Sequence, residues 1–196
     1  NTWSVRIYKQ AGVTISNFAN AESVRAATGT PYVTGAPSSI DYANSFPGGR
    51  LDDFYMVAET AIYVPADGSG ADPSYMFRVT SDDGQRLYVD DELAVNDDVL
   101  HGATAVESAA ISLSPGFHSI RYEMFERGGD EVAKLEVSTN AGSSYAQLPA
   151  FNFGGNTGFV FKFDSLLAAL DSHFLTNYEG GEGGSYLDLA YSRGWV

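Results

Sequence analysis

Apolar and polar positions alternate along much of this chain, and a period of two rather than 3.6 predicts strands. Trp3 to Lys9 alternates in this way, and Phe54 to Val64 is a longer apolar run of strand length. A strand ending at Thr80 and another through Leu87 and Val89 flank the acidic stretch Ser81-Asp82-Asp83-Gly84. Between Phe117 and Phe125, His118, Ile120 and Tyr122 share one face while Phe117, Ser119 and Arg121 share the other, as in a strand with one face on a core. One segment breaks the pattern: Asn20 to Ala27 predicts a short helix ending before Gly29. Residues 29 to 50 are rich in Gly, Pro, Ser and Thr and predict a long irregular stretch, in which Tyr42 and Asn44 either flank a ligand or simply pack. Towards the end, a strand is expected at Gly158 to Phe163, a helix at Asp164 to Ser172, a Gly-rich link at Asn177 to Gly184, and a last strand at Ser185 to Tyr191.

Composition narrows the class. With 196 residues and 44% hydrophobic content, the chain can bury one sizeable β core, and no internal repeat divides it, so a single domain over 1–196 is expected. A formal net charge of −14 argues against nucleic acid and anionic membranes as partners, because both demand Lys and Arg to neutralise phosphates. Cys is absent, which removes any disulfide framework. No run approaches the roughly 20 apolar residues of a membrane span. The start, Asn1-Thr2-Trp3, lacks the charged and apolar regions of a leader, so a module cut from a longer chain is expected.

Asp82-Asp83-Gly84 carries the candidate chemistry. Neighbouring side chains on a strand point to opposite faces, so an extended chain could not aim both carboxylates at one cation. A turn can, and a cis Asp82-Asp83 peptide would bring both to one side. A hard divalent cation taking 6 to 8 oxygen ligands suits such a pair, and calcium suits it better than zinc. The three His, at positions 101, 118 and 173, show no metal-ligand spacing. Asp-Asp-Gly is also an ordinary hairpin turn, and the chain has three other Asp-Asp pairs, at 52-53, 90-91 and 97-98. Asp90-Asp91 reads as a hairpin turn and Asn96-Asp97-Asp98 as a solvated acidic loop or a second calcium site. His118 reads as structural, since no partner nucleophile is evident.

The run Tyr75 to Val95, with Asp82-Asp83-Gly84 at its centre, resembles the middle of the PA-fourteen domain, named after the anthrax protective antigen. Ile111 to Phe125 and Glu126 to Val137 resemble that family's following L-x-x-G-x-H-x-I stretch and apolar strand. The resemblance covers roughly residues 54 to 138. It implies an all-β fold, a jelly-roll-like β-sandwich with one or two short helices. Such domains occur in toxins, glycosidases, yeast flocculins and large bacterial RTX-type surface adhesins.

In the lectin branch of that family, an Asp-Asp pair joined by a cis peptide grips calcium from one loop while a second loop adds a side-chain oxygen and carbonyls. Carried over, this implies Asp82 and Asp83 as ligands, with the second loop at Glu126 to Glu131. Glu126 or Asp130 would supply its charged oxygen and Gly128 a carbonyl, since the Asn of the flocculins is missing here. Arg127, Asp130 and Glu131 would line the rim of a sugar site completed by Asp82 and Asp83. The implied function is calcium-dependent binding of glycans, of glucose, fucose, mannose or galactose type, by an extracellular cell-surface adhesin. The alternative is a structural or protein-binding module in which calcium only stiffens loops. An enzyme is not expected, because no carboxylate pair stands out for glycosidase chemistry.

Overall fold

A computed structural model describes residues 2–49, 51–65 and 72–149, all of them within one compact unit. The strands, helix and Gly-rich link expected between 158 and 191 lie outside the described residues.

The chain runs β1 (Ser4–Lys9), α1 (Phe18–Thr28), β2 (Val33–Gly35), β3 (Asp41–Ala43) and the long β4 (Phe54–Val64). Then come β5 (Ser74–Asp82), β6 (Gln85–Val89), β7 (Glu92–Asp97), β8 (Thr104–Glu107) and β9 (Ile111–Ser112). The long β10 (Gly116–Glu126), β11 (Val132–Ser138) and β12 (Ala146–Gln147) follow. One antiparallel sheet has the order β2-β1-β4-β10-β6-β7, and the facing sheet has β12-β11-β5-β8, with β3 added on β11 and β9 on β5.

The alternation explains the layers. Val5, Ile7, Met56, Ala58, Leu87, Ile120, Tyr122 and Met124 from the first sheet are buried with Phe77, Val79, Leu135 and Val137 from the second. A slip of one residue in any of these strands would send its apolar set to solvent, at roughly 1.5 to 3 kcal/mol per large side chain, so the register is strongly specified.

α1 starts two residues earlier than the sequence suggests. Asn17 caps it, accepting a hydrogen bond from the Asn20 N–H at 2.8 Å, and Gly29 with φ of 67° closes it. Phe18, Ala21 and Val24 fall on one face and pack against Tyr8, Tyr55, Val57 and Phe125, which point outwards from the first sheet. β10 therefore changes character along its length. Phe117 and Ser119 are exposed, whereas every residue from Tyr122 to Glu126 is buried, because α1 covers the outer face there.

The irregular stretch after α1 contains β2 and β3, and Tyr42 in β3 packs on Phe46 with ring centroids 4.7 Å apart, the packing role rather than the ligand one. Asp90-Asp91 does form the β6–β7 turn, with φ of 51° and 64°. Asp82-Asp83-Gly84 does not form a hairpin. β5 and β6 lie in different sheets, so this link crosses the sandwich.

Candidate metal and ligand site

Three of the connections that pass from one sheet to the other build the site: β5 to β6, β7 to β8, and β10 to β11. The first brings Asp82 and Asp83, and the Asp82–Asp83 peptide is cis. The third begins with Glu126, the last residue of β10, and ends where Val132 of β11 pairs with Asp82 of β5. One carboxylate oxygen from each of Asp82, Asp83 and Glu126 lies within 4.8 Å of the other two.

Main-chain donors fix these carboxylates. Asp83 Oδ1 accepts from the His101 N–H at 2.9 Å, and its Oδ2 accepts from the Arg127 N–H at 3.0 Å. The Ala103 N–H favours the charged form of Asp82, so the β7–β8 connection bears on both members of the pair. Glu126 Oε1 accepts from the Gly128 N–H at 2.5 Å. Its Oε2 is buried and has no hydrogen-bond partner among the described residues.

Gly84 is required by contact rather than by φ. A Cβ there would fall 2.3 Å from the Phe125 ring and 3.0 Å from the Asp97 carbonyl oxygen. The same short segment is tied to β10 on both sides, by Asp83 N–H to the Phe125 carbonyl and Phe125 N–H to the Gly84 carbonyl, each at 3.1 Å.

The electrostatics oppose the arrangement as it stands. Burial and the adjoining Asp83 charge push the Glu126 carboxyl up to about 8. Asp82 is also raised, by burial and by Asp83, with His101 and the Ala103 N–H acting the other way. Among the described residues, no ion pair reaches Asp82, Asp83 or Glu126. Crowded carboxylates, a buried oxygen without a partner and a donor set made only of oxygen fit a hard cation. The cluster can hold a metal ion on these grounds.

The second loop sorts the remaining candidates. Glu126, not Asp130, contributes the side-chain oxygen that joins the pair. Asp130 and Arg127 are exposed, and the charge of Asp130 is felt at Asp82, which puts them on the rim. Gly128 lies beside Asp52, whose Oδ1 would be 3.6 Å from a Cβ at that position. Glu131 corrects an expectation. It is fully buried, with Oε1 accepting from the Leu51 N–H at 2.7 Å, so it faces the interior and not a ligand. Asn44 braces the same residue, with its N–H on the Glu131 carbonyl at 2.8 Å and its Oδ1 accepting from the Glu131 N–H at 2.9 Å.

Sequence reasoning missed the β7–β8 connection. His101 and Ala103 act through backbone N–H groups, which any residue but Pro carries, so no side-chain signal marks them. Asp98 corrects the reading of a solvated acidic loop. Its Oδ1 accepts from the Phe18 N–H at 2.7 Å and its Oδ2 lies 3.6 Å from Arg86 Nη2. His118 is structural as expected, held between Asp90 and the Ser114 carbonyl at 2.6 and 2.7 Å.

A two-sheet antiparallel sandwich with its acidic cluster on sheet-crossing loops at one end is a scaffold that presents a site from loops. The chain belongs to the PA14 domain family, which matches residues 10–148. Comparison with the curated proteins gives no match. Among solved structures, the PA14 sugar-binding domain from an RTX adhesin is similar at 19% identity and a TM-score of 0.63, covering 76% of this chain and 95% of that one. The PA14 domain of the MpAFP antifreeze protein is similar at 17% identity and a TM-score of 0.62, covering 79% and 93%. The Epithelial Adhesin 9 A domain from Candida glabrata, in complex with Galβ1-3GlcNAc, follows at 11% identity and a TM-score of 0.53, covering 79% and 91%. At these identities the likeness concerns the fold.

Proposed function

We propose that this chain is a calcium-dependent carbohydrate-binding module of a cell-surface adhesin, acting by binding and not by catalysis. The observation that carries the reading is the convergence of Asp82, Asp83 and Glu126 around a buried, unpartnered Glu126 oxygen. The sugar-binding domain of an RTX adhesin and the adhesin complexed with Galβ1-3GlcNAc, both of similar fold, support glycans as the ligand class.

Asp82, Asp83 and Glu126 are the side-chain ligands, and the main chain at Gly128 is the candidate for a carbonyl ligand. When bound, calcium supplies open coordination positions for two adjacent hydroxyls of a sugar. Asp82, the more exposed member of the pair, and Asp83 accept hydrogen bonds from those hydroxyls, and these charge-assisted bonds fix the diol's orientation. Arg127 and Asp130 on the rim tune which sugar fits. A shallow site of this kind binds one sugar weakly, and adhesion then depends on many copies acting at an extracellular surface.

The test is a glycan array probed with the full chain in millimolar calcium and again with chelator, with circular dichroism to follow the fold. Chelator-sensitive binding to sugars with a vicinal diol is expected. Glycan binding that survives chelation overturns the calcium role. No binding from a folded, calcium-loaded chain favours the structural or protein-binding module instead.

A further inference from the structure

The β7–β8 connection supplies the His101 N–H that orients Asp83, yet it is a loop with exposed Val99 and Leu100. Such a loop needs an anchor to present a donor at a fixed position. Its last anchored side chain before His101 is Asp98, which reaches away from the site to α1. There Oδ1 accepts from the Phe18 N–H at 2.7 Å. That donor is one of the orphan N–H groups at the helix start, and the carboxylate also faces the positive end of the helix.

Arg86 completes the anchor. It sits on β6 with Nη2 3.6 Å from Asp98 Oδ2, Nη1 2.9 Å from Glu22 Oε1 and Nε donating to Asn96 Oδ1 at 2.9 Å. Its guanidinium lies over the Phe18 ring, 4.0 Å from the centroid. Phe18 in turn meets Phe125 edge-on at 5.0 Å, and Phe125 is the ring that excludes any side chain at position 84. The helix start thus supports the site twice, through Phe125 beneath Gly84 and through Asp98 at the root of the loop.

We propose that Asp98 is a positioning residue for the cation site: by fastening the β7–β8 connection to the start of α1, it places the His101 N–H on Asp83. This rests on the calcium reading proposed above for its consequence in binding. Without the anchor the loop samples other positions, Asp83 loses its oriented donor, and the geometry that meets the Glu126 oxygen is populated less of the time. Asp98 touches neither the cation nor the sugar in this scheme.

The experiment compares Asp98→Ala and Asp98→Asn with Asn17→Ala, which weakens the same helix end by removing its cap but leaves the loop anchor in place. Calcium affinity of the full chain is read by titration calorimetry, and amide hydrogen exchange of residues 99–104 is read without calcium. Asp98→Ala should weaken calcium binding about tenfold or more and speed exchange at His101 and Ala103. Asp98→Asn keeps an oxygen for the Phe18 N–H and should recover most of the affinity. Asn17→Ala should lower the thermal midpoint while holding calcium affinity within about twofold of the parent, a loss unlike that expected of an orienting group. Parent-like affinity in a folded Asp98→Ala, or an equal loss in Asn17→Ala, overturns the proposal. If Asp98→Ala does not fold, Asp98→Ser, too short to span the contact, replaces it. If the parent itself does not bind calcium, the proposed function fails, and exchange then decides alone: acceleration confined to 99–104 in Asp98→Ala sustains the anchor, and unchanged exchange overturns it.

Discussion

Gly84 and Phe125 are in such close register that a single methyl group on Gly84 would sit 2.3 Å from the ring. The ring cannot swing aside easily, since Phe18 packs against it with centroids 5.0 Å apart. Gly84→Ala should therefore cost about 1 to 3 kcal/mol of stability, the usual penalty for overfilling a packed core. Denaturant unfolding measures it. A loss under about 0.5 kcal/mol would mean the ring has more freedom than its neighbours allow.

Glu126→Gln separates the cost of burying the cluster from its use. Removing the ionisable group relieves a buried carboxyl already pushed up to about 8, so stability without calcium should change little or rise. The parent should be stabilised by calcium, by about 2.7 kcal/mol at a hundred times the dissociation constant, and the variant by far less. Thermal scans with and without calcium check both halves. Equal calcium stabilisation in parent and variant would remove Glu126 from the ligand set.

His118 should make stability depend on pH. Both ring nitrogens face oxygen acceptors, Asp90 Oδ2 and the Ser114 carbonyl, so both bonds form only when the ring is protonated. Burial pulls the imidazole down, but the hydrogen bonds and the Asp90 charge outweigh it and hold it above the ordinary 6.5. A folded value above the unfolded one means the stabilisation is fully present below about pH 6.5 and is lost as pH rises through the folded value. Asp90 is half exposed, so the effect should be about 1 kcal/mol. The gap in thermal midpoint between parent and Asp90→Asn should be widest at acid pH and narrow above neutrality. A gap that does not change with pH would contradict this.

Phe18 ties α1 to the sandwich. It is fully buried between Tyr55, Phe125 and the Arg86 guanidinium. Phe18→Ala should cost about 3 to 5 kcal/mol, as large aromatic deletions in a core do. Chemical denaturation gives the value, and a cost below about 1 kcal/mol would mean the helix adds little to the folded unit.

Local pattern is enough for the strands, and the site needs the family resemblance as well. The alternation at Phe117 to Phe125 and the apolar run Phe54 to Val64 report which side chains enter a core, and that is a property of neighbours two residues apart. Asp82-Asp83 is visible as a pair because its members are adjacent in the chain, but only the family resemblance singles it out from the pairs at 52-53, 90-91 and 97-98. What the amino acids could not state locally was partnership. Whether Asp82-Asp83-Gly84 closes a hairpin or crosses the sandwich depends on β5 joining β11 and β6 joining β10, pairings far apart in sequence. The choice of Glu126 over Asp130, the burial of Glu131 on the Leu51 N–H and the anchoring of Asp98 on α1 all follow from those pairings. Carboxylates look alike in a sequence. Only the tertiary structure decides which one meets a backbone N–H, which one meets solvent and which one is left with a buried oxygen that a cation can satisfy.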